Sequence, residues 1–223
     1  MDFRHEWKHE ISWGDMLALR ARLSAVMEPD PHAVDGRYTI RSLYFDSPGD
    51  KALREKIDGV NRREKFRLRC YNADPSLILL EKKVKQGGLC GKVQARLTPE
   101  DALALASGCR EASGHPEDPL FWELRKKMDW QGLGPKTVVE YTREPFVFAP
   151  GNVRVTLDYA LRTGTDCRRF LEPDCLTIPA REQAVILEVK WDGYLPSLIR
   201  DLVQTPGTHT GAFSKYAACR AYG

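Results

Sequence analysis

Three neighbouring segments between residues 62 and 96 carry basic side chains at every second position, and this alternation constrains the fold more than any other feature. In the first segment Lys65, Arg67 and Arg69 share one face of a predicted strand, and Phe66 and Leu68 share the other. The charged faces of the next two segments carry Glu81, Lys83, Lys85, Lys92, Gln94 and Arg96. Like charges across paired strands destabilise a sheet, so these faces need an anionic partner or abundant water.

A solvated sheet face is the simpler interpretation of each charged segment. Antiparallel sheets commonly expose one face to water, and such a face shows the same alternation. Repetition over three consecutive segments favours a shared anionic ligand instead.

Similar patterns along the rest of the chain predict the remaining elements. Strands are predicted over residues 4–11, 38–46, 137–148, 152–162 and 184–191, and a charged, proline-rich loop over 163–182. Helices are predicted after Ser12, near residues 50–57, 100–108, 120–128 and 195–204, and from Ser214. Because an open sheet cannot accommodate so many charged faces, we expect an α+β fold. Its centre is a closed antiparallel β-barrel of about eight strands that forms a charged tunnel and is flanked by helices.

Length and composition indicate one soluble domain. The chain of 223 residues suits a single domain over residues 1–223, and the net charge of +3 is too small to indicate nucleic-acid binding. No apolar run reaches membrane-spanning length, and the N-terminus lacks the apolar core of a secretion signal. We therefore expect a cytoplasmic protein without a membrane span.

The six cysteines show no spacing typical of a metal site. In a cytoplasmic protein of this size they are expected to be reduced thiols, with a Cys167–Cys175 disulfide as the alternative.

The chemistry of the predicted tunnel indicates a phosphate ligand. The sequence lacks the phosphate loop, the His-Glu-x-x-His motif and the Gly-x-Ser-x-Gly motif. Guanidinium and ammonium groups bind phosphate oxygens, and carboxylates bind hard divalent ions. A tunnel lined by Lys and Arg with a few carboxylates therefore fits a polyanion chelated by a metal.

Several short segments together resemble a known family. They are RHEWK at residues 4–8, SLYFD at 42–46, FRLRCY at 66–71, EKK at 81–83, YTR at 141–143, RVTLD at 154–158, LEVK at 187–190 and FSKY at 213–216. In order and spacing they resemble the triphosphate tunnel metalloenzymes of the CYTH-like superfamily. Within that group they are most similar to the VTC domain, the polyphosphate polymerase domain of the vacuolar transporter chaperone. The first strand departs from the wider family, because the usual Glu-x-Glu-x-Lys reads Arg4-x-Glu6-x-Lys8. The loss of one metal carboxylate favours the VTC branch over a metal-dense hydrolase.

The resemblance implies roles for individual residues. The implied catalytic residues are Lys8, Arg67, Arg69, Lys83 and Lys215, and the implied phosphate-binding residues are these five with Lys92, Arg143 and Arg154. We add Arg96 and Lys190 as phosphate-binding residues, and Glu6, Lys85 and Asp158 as further lining residues. Glu188 is the implied ligand of Mn²⁺ or Mg²⁺, with an ion pair to a tunnel lysine as its alternative role. Alternation alone does not single out Arg143 or Lys215, and Lys215 could equally be a solvated helix end.

The resemblance implies a polyphosphate polymerase, a phosphotransferase that moves the terminal phosphoryl group of ATP to a growing polyphosphate chain. Two alternatives stay open: a metal-dependent triphosphatase acting on inorganic triphosphate or a nucleoside triphosphate, and a non-catalytic polyphosphate-binding module. The expected partners are ATP or another triphosphate and inorganic polyphosphate. Because the chain carries neither a sensor domain nor a membrane span, translocation of the product would need an unidentified membrane partner.

Overall fold

The computed structural model describes residues 3–109, 118–181, 184–206 and 213–221. The described strands are β1 (Phe3–Ile11), β2 (Glu28–Pro29), β3 (Tyr38–Asp46), β4 (Arg63–Tyr71), β5 (Asp74–Gln86), β6 (Leu89–Leu97), β7 (Gly134–Phe148), β8 (Val153–Gly164), β9 (Ile178–Arg181) and β10 (Val185–Trp191). The described helices are α1 (Trp13–Ser24), α2 (Lys51–Ile57), α3 (Pro99–Ala106), α4 (Pro119–Gln131), α5 (Ser197–Leu202) and α6 (Lys215–Arg220).

Eight of these strands close into a barrel. Their order is β7, β3, β4, β5, β6, β1, β10 and β8, and β8 pairs back to β7. Every pairing is antiparallel, and β2 and β9 extend the sheet beyond the barrel. The predicted α+β fold with a closed antiparallel barrel is confirmed.

The register of the strands directs the charged faces inward. Arg67 is paired with Glu81 between β4 and β5, and Lys8 is paired with Glu188 between β1 and β10. Opposite partners in a sheet point to the same face, so each of these pairs brings unlike charges together inside the barrel.

Apolar side chains on the outer face pack against the helices. Phe66 and Leu68 of β4 pack with Phe121 and Leu124 of α4 in one buried cluster. A second cluster joins β1, β8 and β10 to α1 and α5. Since the helices cover the outer face, the charged face is left to line the interior.

The pairing between β1 and β6 in the barrel is short. β1 pairs with β6 at Phe3–Gly91 and Arg4–Cys90, whereas its pairing with β10 runs from His5 to Ile11. In this antiparallel register the described part of β1 begins opposite Gly91, so Lys92 has no partner among the described residues of β1. Lys92, which follows this point on β6, has a side chain that is 48% exposed.

The predicted loop over residues 163–182 contains regular structure. β8 extends to Gly164, and β9 pairs with it through Ile178 to Arg181. The buried Arg41 donates hydrogen bonds from Nη1 to the carbonyl oxygens of Phe170 (3.1 Å) and Glu172 (2.6 Å). The prediction of a loop was incomplete, and its last residue, Glu182, lies outside the described residues.

Cys167 and Cys175 are buried free thiols in the structure. None of the helices within the described ranges has the length and apolar character needed to span a bilayer.

Candidate active site

A cavity of about 390 Å³ lies inside the barrel and is strongly basic. Among the described residues, its eleven basic lining residues are Lys8, Lys56, Arg63, Lys65, Arg67, Arg69, Lys83, Lys85, Arg143, Lys190 and Lys215. The three acidic lining residues are Glu6, Glu64 and Glu188. So large an excess of cations in one enclosed space favours an anionic ligand.

The structure brings most of the predicted site residues together. Of the ten predicted phosphate-binding residues, those that line the cavity are Lys8, Arg67, Arg69, Lys83, Arg143, Lys190 and Lys215, and Glu188 lines it with them. Lys92, Arg96 and Arg154 are not among the lining residues. Arg96 donates to the carbonyl oxygen of Ser76 (2.7 Å), and Arg154 donates to Asp30 and to the hydroxyl of Tyr38 (2.8 Å). A role for these three residues in phosphate binding stays a prediction.

The buried carboxylate of Glu81 contacts basic side chains on one wall of the cavity. Its carboxylate is 1% exposed, 2.6 Å from Nε of Arg67, 3.7 Å from Nε of Arg69 and 3.1 Å from Nζ of Lys92. Burial opposes ionisation of Glu81, but the two guanidinium groups outweigh it and hold its pKa well below the usual range. Glu81 thus stays charged and fixes the arginines in place.

Two carboxylates face the centre of the cavity. Glu6 lies 2.5 Å from Nζ of Lys8 and 2.9 Å from Nζ of Lys83, and Glu188 lies 2.8 Å from Nζ of Lys190. Burial and the adjacent Glu188 oppose ionisation of Glu6, but Lys8 and Lys83 outweigh them and lower its pKa to about 2. For Glu188, burial is outweighed by Lys190 and Lys8, so its pKa is also well below the usual range. Both groups are therefore carboxylates at neutral pH.

These two carboxylates are the candidate metal ligands. Glu6 and Glu188 lie close enough for each to influence the ionisation of the other. Among the described residues no group of three or more His, Cys, Asp or Glu side chains could hold a metal ion. Mg²⁺ is commonly bound by one or two carboxylates, with phosphate oxygens and water completing its shell. The residues fit an ion of that kind, shared with a phosphate ligand, and do not form an all-protein cage.

Asp158 joins β7, β8 and α6 on the opposite wall. Arg143 donates to it through Nε (2.6 Å) and Nη2 (2.7 Å), and Nζ of Lys215 lies 2.6 Å from the same carboxylate. Both cations lie over the ring of Tyr141, at 5.5 Å for Arg143 and 4.6 Å for Lys215. The Lys215 side chain is 11% exposed, so it is a lining residue and not a solvated helix end.

Sequence reasoning missed several lining residues. Lys65 was placed on the charged face of its strand but was not assigned to the site, and Arg63, which alternates in phase with Arg67, was not recognised at all. Lys56 lies on α2 and Tyr216 on α6, and both reach the cavity only because their helices lie over the barrel end. No periodicity in the sequence points to these two residues.

Comparison with known proteins identifies the family. A model of the VTC domain family matches residues 3–222. The chain belongs to the VTC domain family. A candidate adenylate cyclase from Bacillus halodurans has a similar structure, with a TM-score of 0.52, 13% identity, and coverage of 85% of this chain and 80% of that protein. A candidate adenylyl cyclase from Hippeastrum, described as having a dominant triphosphatase activity, has a TM-score of 0.56 and 14% identity, and the match covers 100% of this chain and 96% of that one. At these identities both neighbours show the fold alone. A search of curated proteins finds no match.

The first strand of this VTC domain shows what replaces the missing carboxylate. Arg4, which stands where the wider tunnel family is expected to carry a glutamate, donates from Nε to Asp192 (2.6 Å) and is not among the cavity-lining residues. Its partner follows β10, so the pair ties the ends of two barrel strands together. Glu6 is thereby the first carboxylate of this strand to face the cavity.

Proposed function

We propose that this VTC domain is a metal-dependent polyphosphate polymerase. It would transfer the terminal phosphoryl group of ATP to the end of a polyphosphate chain held in the barrel cavity. The observation that carries the proposal is the cavity itself, in which eleven basic residues and three acidic residues surround a space of about 390 Å³. Family membership supports the same substrate class.

The reaction needs positioning more than covalent chemistry. A terminal oxygen of the chain attacks the γ-phosphorus of ATP, the bond from that phosphorus to the β–γ bridging oxygen breaks, and ADP leaves. Charge spreads over the oxygens of the transferred group, so fixed cations around it lower the barrier. Arg67 and Arg69 supply planar donors on one wall, and Arg143 and Lys215 supply charge on the other.

Glu6 and Glu188 would hold a divalent ion, Mn²⁺ or Mg²⁺, which when bound neutralises phosphate charge. Lys8 and Lys83 keep Glu6 ionised for that role, and Lys190 does the same for Glu188. The site offers two carboxylates, and Arg4, which replaces a third, does not line the cavity. We therefore expect the ion to bind together with the nucleotide.

A triphosphatase is the second candidate, because the Hippeastrum neighbour with this fold is described as having that activity. Hydrolysis would use water in place of the polyphosphate end as the attacking group. A non-catalytic polyphosphate-binding module is the third, since the same cations would bind a chain without transferring it.

One experiment separates the three functions. Purified protein is incubated with ATP and Mn²⁺ or Mg²⁺, and the products are resolved by gel electrophoresis and ³¹P NMR. We expect long-chain polyphosphate and ADP, and no reaction after addition of EDTA. Free phosphate without a polymer would replace the proposal with hydrolysis. Polyphosphate binding without turnover would replace it with the binding module.

A further inference from the structure

Lys65 differs from the other cations at the centre of the cavity. Lys8, Lys83, Lys190 and Lys215 each pair with a carboxylate, as do the three arginines of the site. Four lining cations have no carboxylate partner within the described part of the chain: Lys56, Arg63, Lys65 and Lys85. Lys56 is on α2, and Arg63 and Lys85 are near strand ends. Along β4, Lys65 is the cation without a carboxylate partner that is next to Arg67 on the same face.

Two tyrosine rings hold the Lys65 amino group in position. Its Nζ lies 5.1 Å from the ring centre of Tyr44 and 6.0 Å from that of Tyr216. The rings stack on each other at 4.9 Å, and both are buried. Arg67 donates to the Tyr44 hydroxyl (2.9 Å), and the Tyr216 hydroxyl donates to Asp46 (2.7 Å). Cation–π contact orients the protonated form of this side chain without supplying a counter-charge, so a phosphate oxygen can pair with it.

We propose that Lys65 is a further phosphate-binding residue of the cavity, and that its side chain takes up a proton from solvent when a phosphate chain binds. This inference rests on the proposed function, because it requires that the cavity bind a phosphate chain. In the proton balance, a neutral amine and a solvent proton become an ammonium group that pairs with a phosphate oxygen.

The surroundings of Lys65 explain why the proton arrives with the ligand. The charged and titratable groups that face it are Lys8 on β1, Tyr44 on β3, Arg67 on β4, Lys83 on β5 and Tyr216 on α6. Burial, which Tyr44 partly opposes, and the nearby cations lower the pKa of Lys65 to about 7. A phosphate beside the amine would raise that pKa again. Binding should therefore be strongest below pH 7 and weaken as the pH rises through 7.

Isothermal titration calorimetry with inorganic triphosphate tests the inference. Titrations in two buffers of different ionisation enthalpy give the protons taken up per ligand bound. The variants are Lys65→Arg, which keeps a permanent charge, and Lys65→Gln, which removes it. Lys126→Gln is the control, because Lys126 is exposed on α4 and its replacement removes one charge outside the barrel.

At pH 7 we expect the parent and Lys126→Gln to take up about half a proton more than either Lys65 variant. Deprotonation of Lys65 should weaken triphosphate binding by the parent about tenfold between pH 6 and pH 8. Binding by Lys65→Arg should not show this pH dependence. Lys65→Gln should bind about tenfold more weakly than the control at pH 6.

Proton uptake and a pH profile that are the same in both Lys65 variants and in the control would overturn the inference, while leaving the proposed function intact. A parent protein that binds no triphosphate would instead overturn the proposed function. The two failures are therefore distinguishable.

Discussion

The arginines of the cavity differ in how many of their guanidinium N–H groups already donate hydrogen bonds to protein acceptors. Arg143 commits Nε and Nη2 to Asp158, which is 1% exposed, so much of its guanidinium group serves the fold. Arg69 donates to Ser42 from Nε at 3.3 Å and lies 3.7 Å from Glu81. The η nitrogens of Arg69 are therefore the better placed to bind phosphate oxygens in pairs.

This difference predicts that the same substitution lowers ligand affinity at Arg69 and stability at Arg143. Arg69→Lys keeps the charge but loses the planar donor pair, so triphosphate affinity should fall about 10- to 100-fold, since a charge-assisted hydrogen bond contributes about 1.5–3 kcal/mol. Its melting temperature should stay near the parental value. Arg143→Lys should instead destabilise the protein by about 1–3 kcal/mol, because a buried carboxylate loses half of its bidentate contact. Calorimetric titration and thermal unfolding of both variants measure the two effects. Parental affinity in Arg69→Lys would mean that this residue does not bind the ligand.

At the scale of elements, alternation determines which face of a strand is charged but not which strands are neighbours. The faces of β4 and β5 were predicted correctly for this reason, since Arg67, Arg69 and Lys83 all line the cavity. Lys92 and Arg96 follow the same pattern, but the described part of β1 begins opposite Gly91, and both side chains lie outside the lining. Register depends on turns and packing between distant strands, which period alone does not encode.

Short elements set a second limit on prediction. β2 has two residues and β9 has four, too few to show a period of two. The positions of α2 and α6 over the barrel depend on tertiary contacts such as that between Arg220 and Asp50 (3.1 Å). Sequence periodicity therefore could not predict that Lys56 and Tyr216 line the cavity.

The turn between β7 and β8 gives a stability prediction. Gly151 has φ of +74°, and a Cβ at this position would lie 2.5 Å from the carbonyl oxygen of Tyr194. Gly151→Ala must therefore displace backbone as well as adopt a left-handed conformation, and we expect a loss of about 2–4 kcal/mol in the free energy of unfolding. Urea-induced unfolding provides the measurement.

Gly36 provides a matched control, because it has the same φ of +74° and a Cβ added there would meet no atom within 4 Å. Gly36→Ala should cost about 1 kcal/mol, from backbone strain alone. If both variants lose the same stability, the close approach of Tyr194 has no energetic consequence.

At the scale of the whole molecule, the fold concentrates positive charge in the cavity. The eleven basic and three acidic lining residues give the cavity a net charge of +8, whereas the entire chain carries only +3. The remainder of the chain therefore has a net charge of −5. Because positive charge is concentrated in the cavity, a phosphate chain would be directed there.

The salt dependence of polyphosphate binding tests this account most directly. Each phosphate that a cavity cation neutralises releases bound counterions, so affinity should fall steeply as salt rises. For three or more such contacts we predict a loss of at least about a hundredfold in affinity between about 50 mM and 500 mM NaCl, measured by fluorescence anisotropy with labelled long-chain polyphosphate. An affinity that stays unchanged over that range would contradict the claim that the cationic cavity is where this VTC domain binds phosphate.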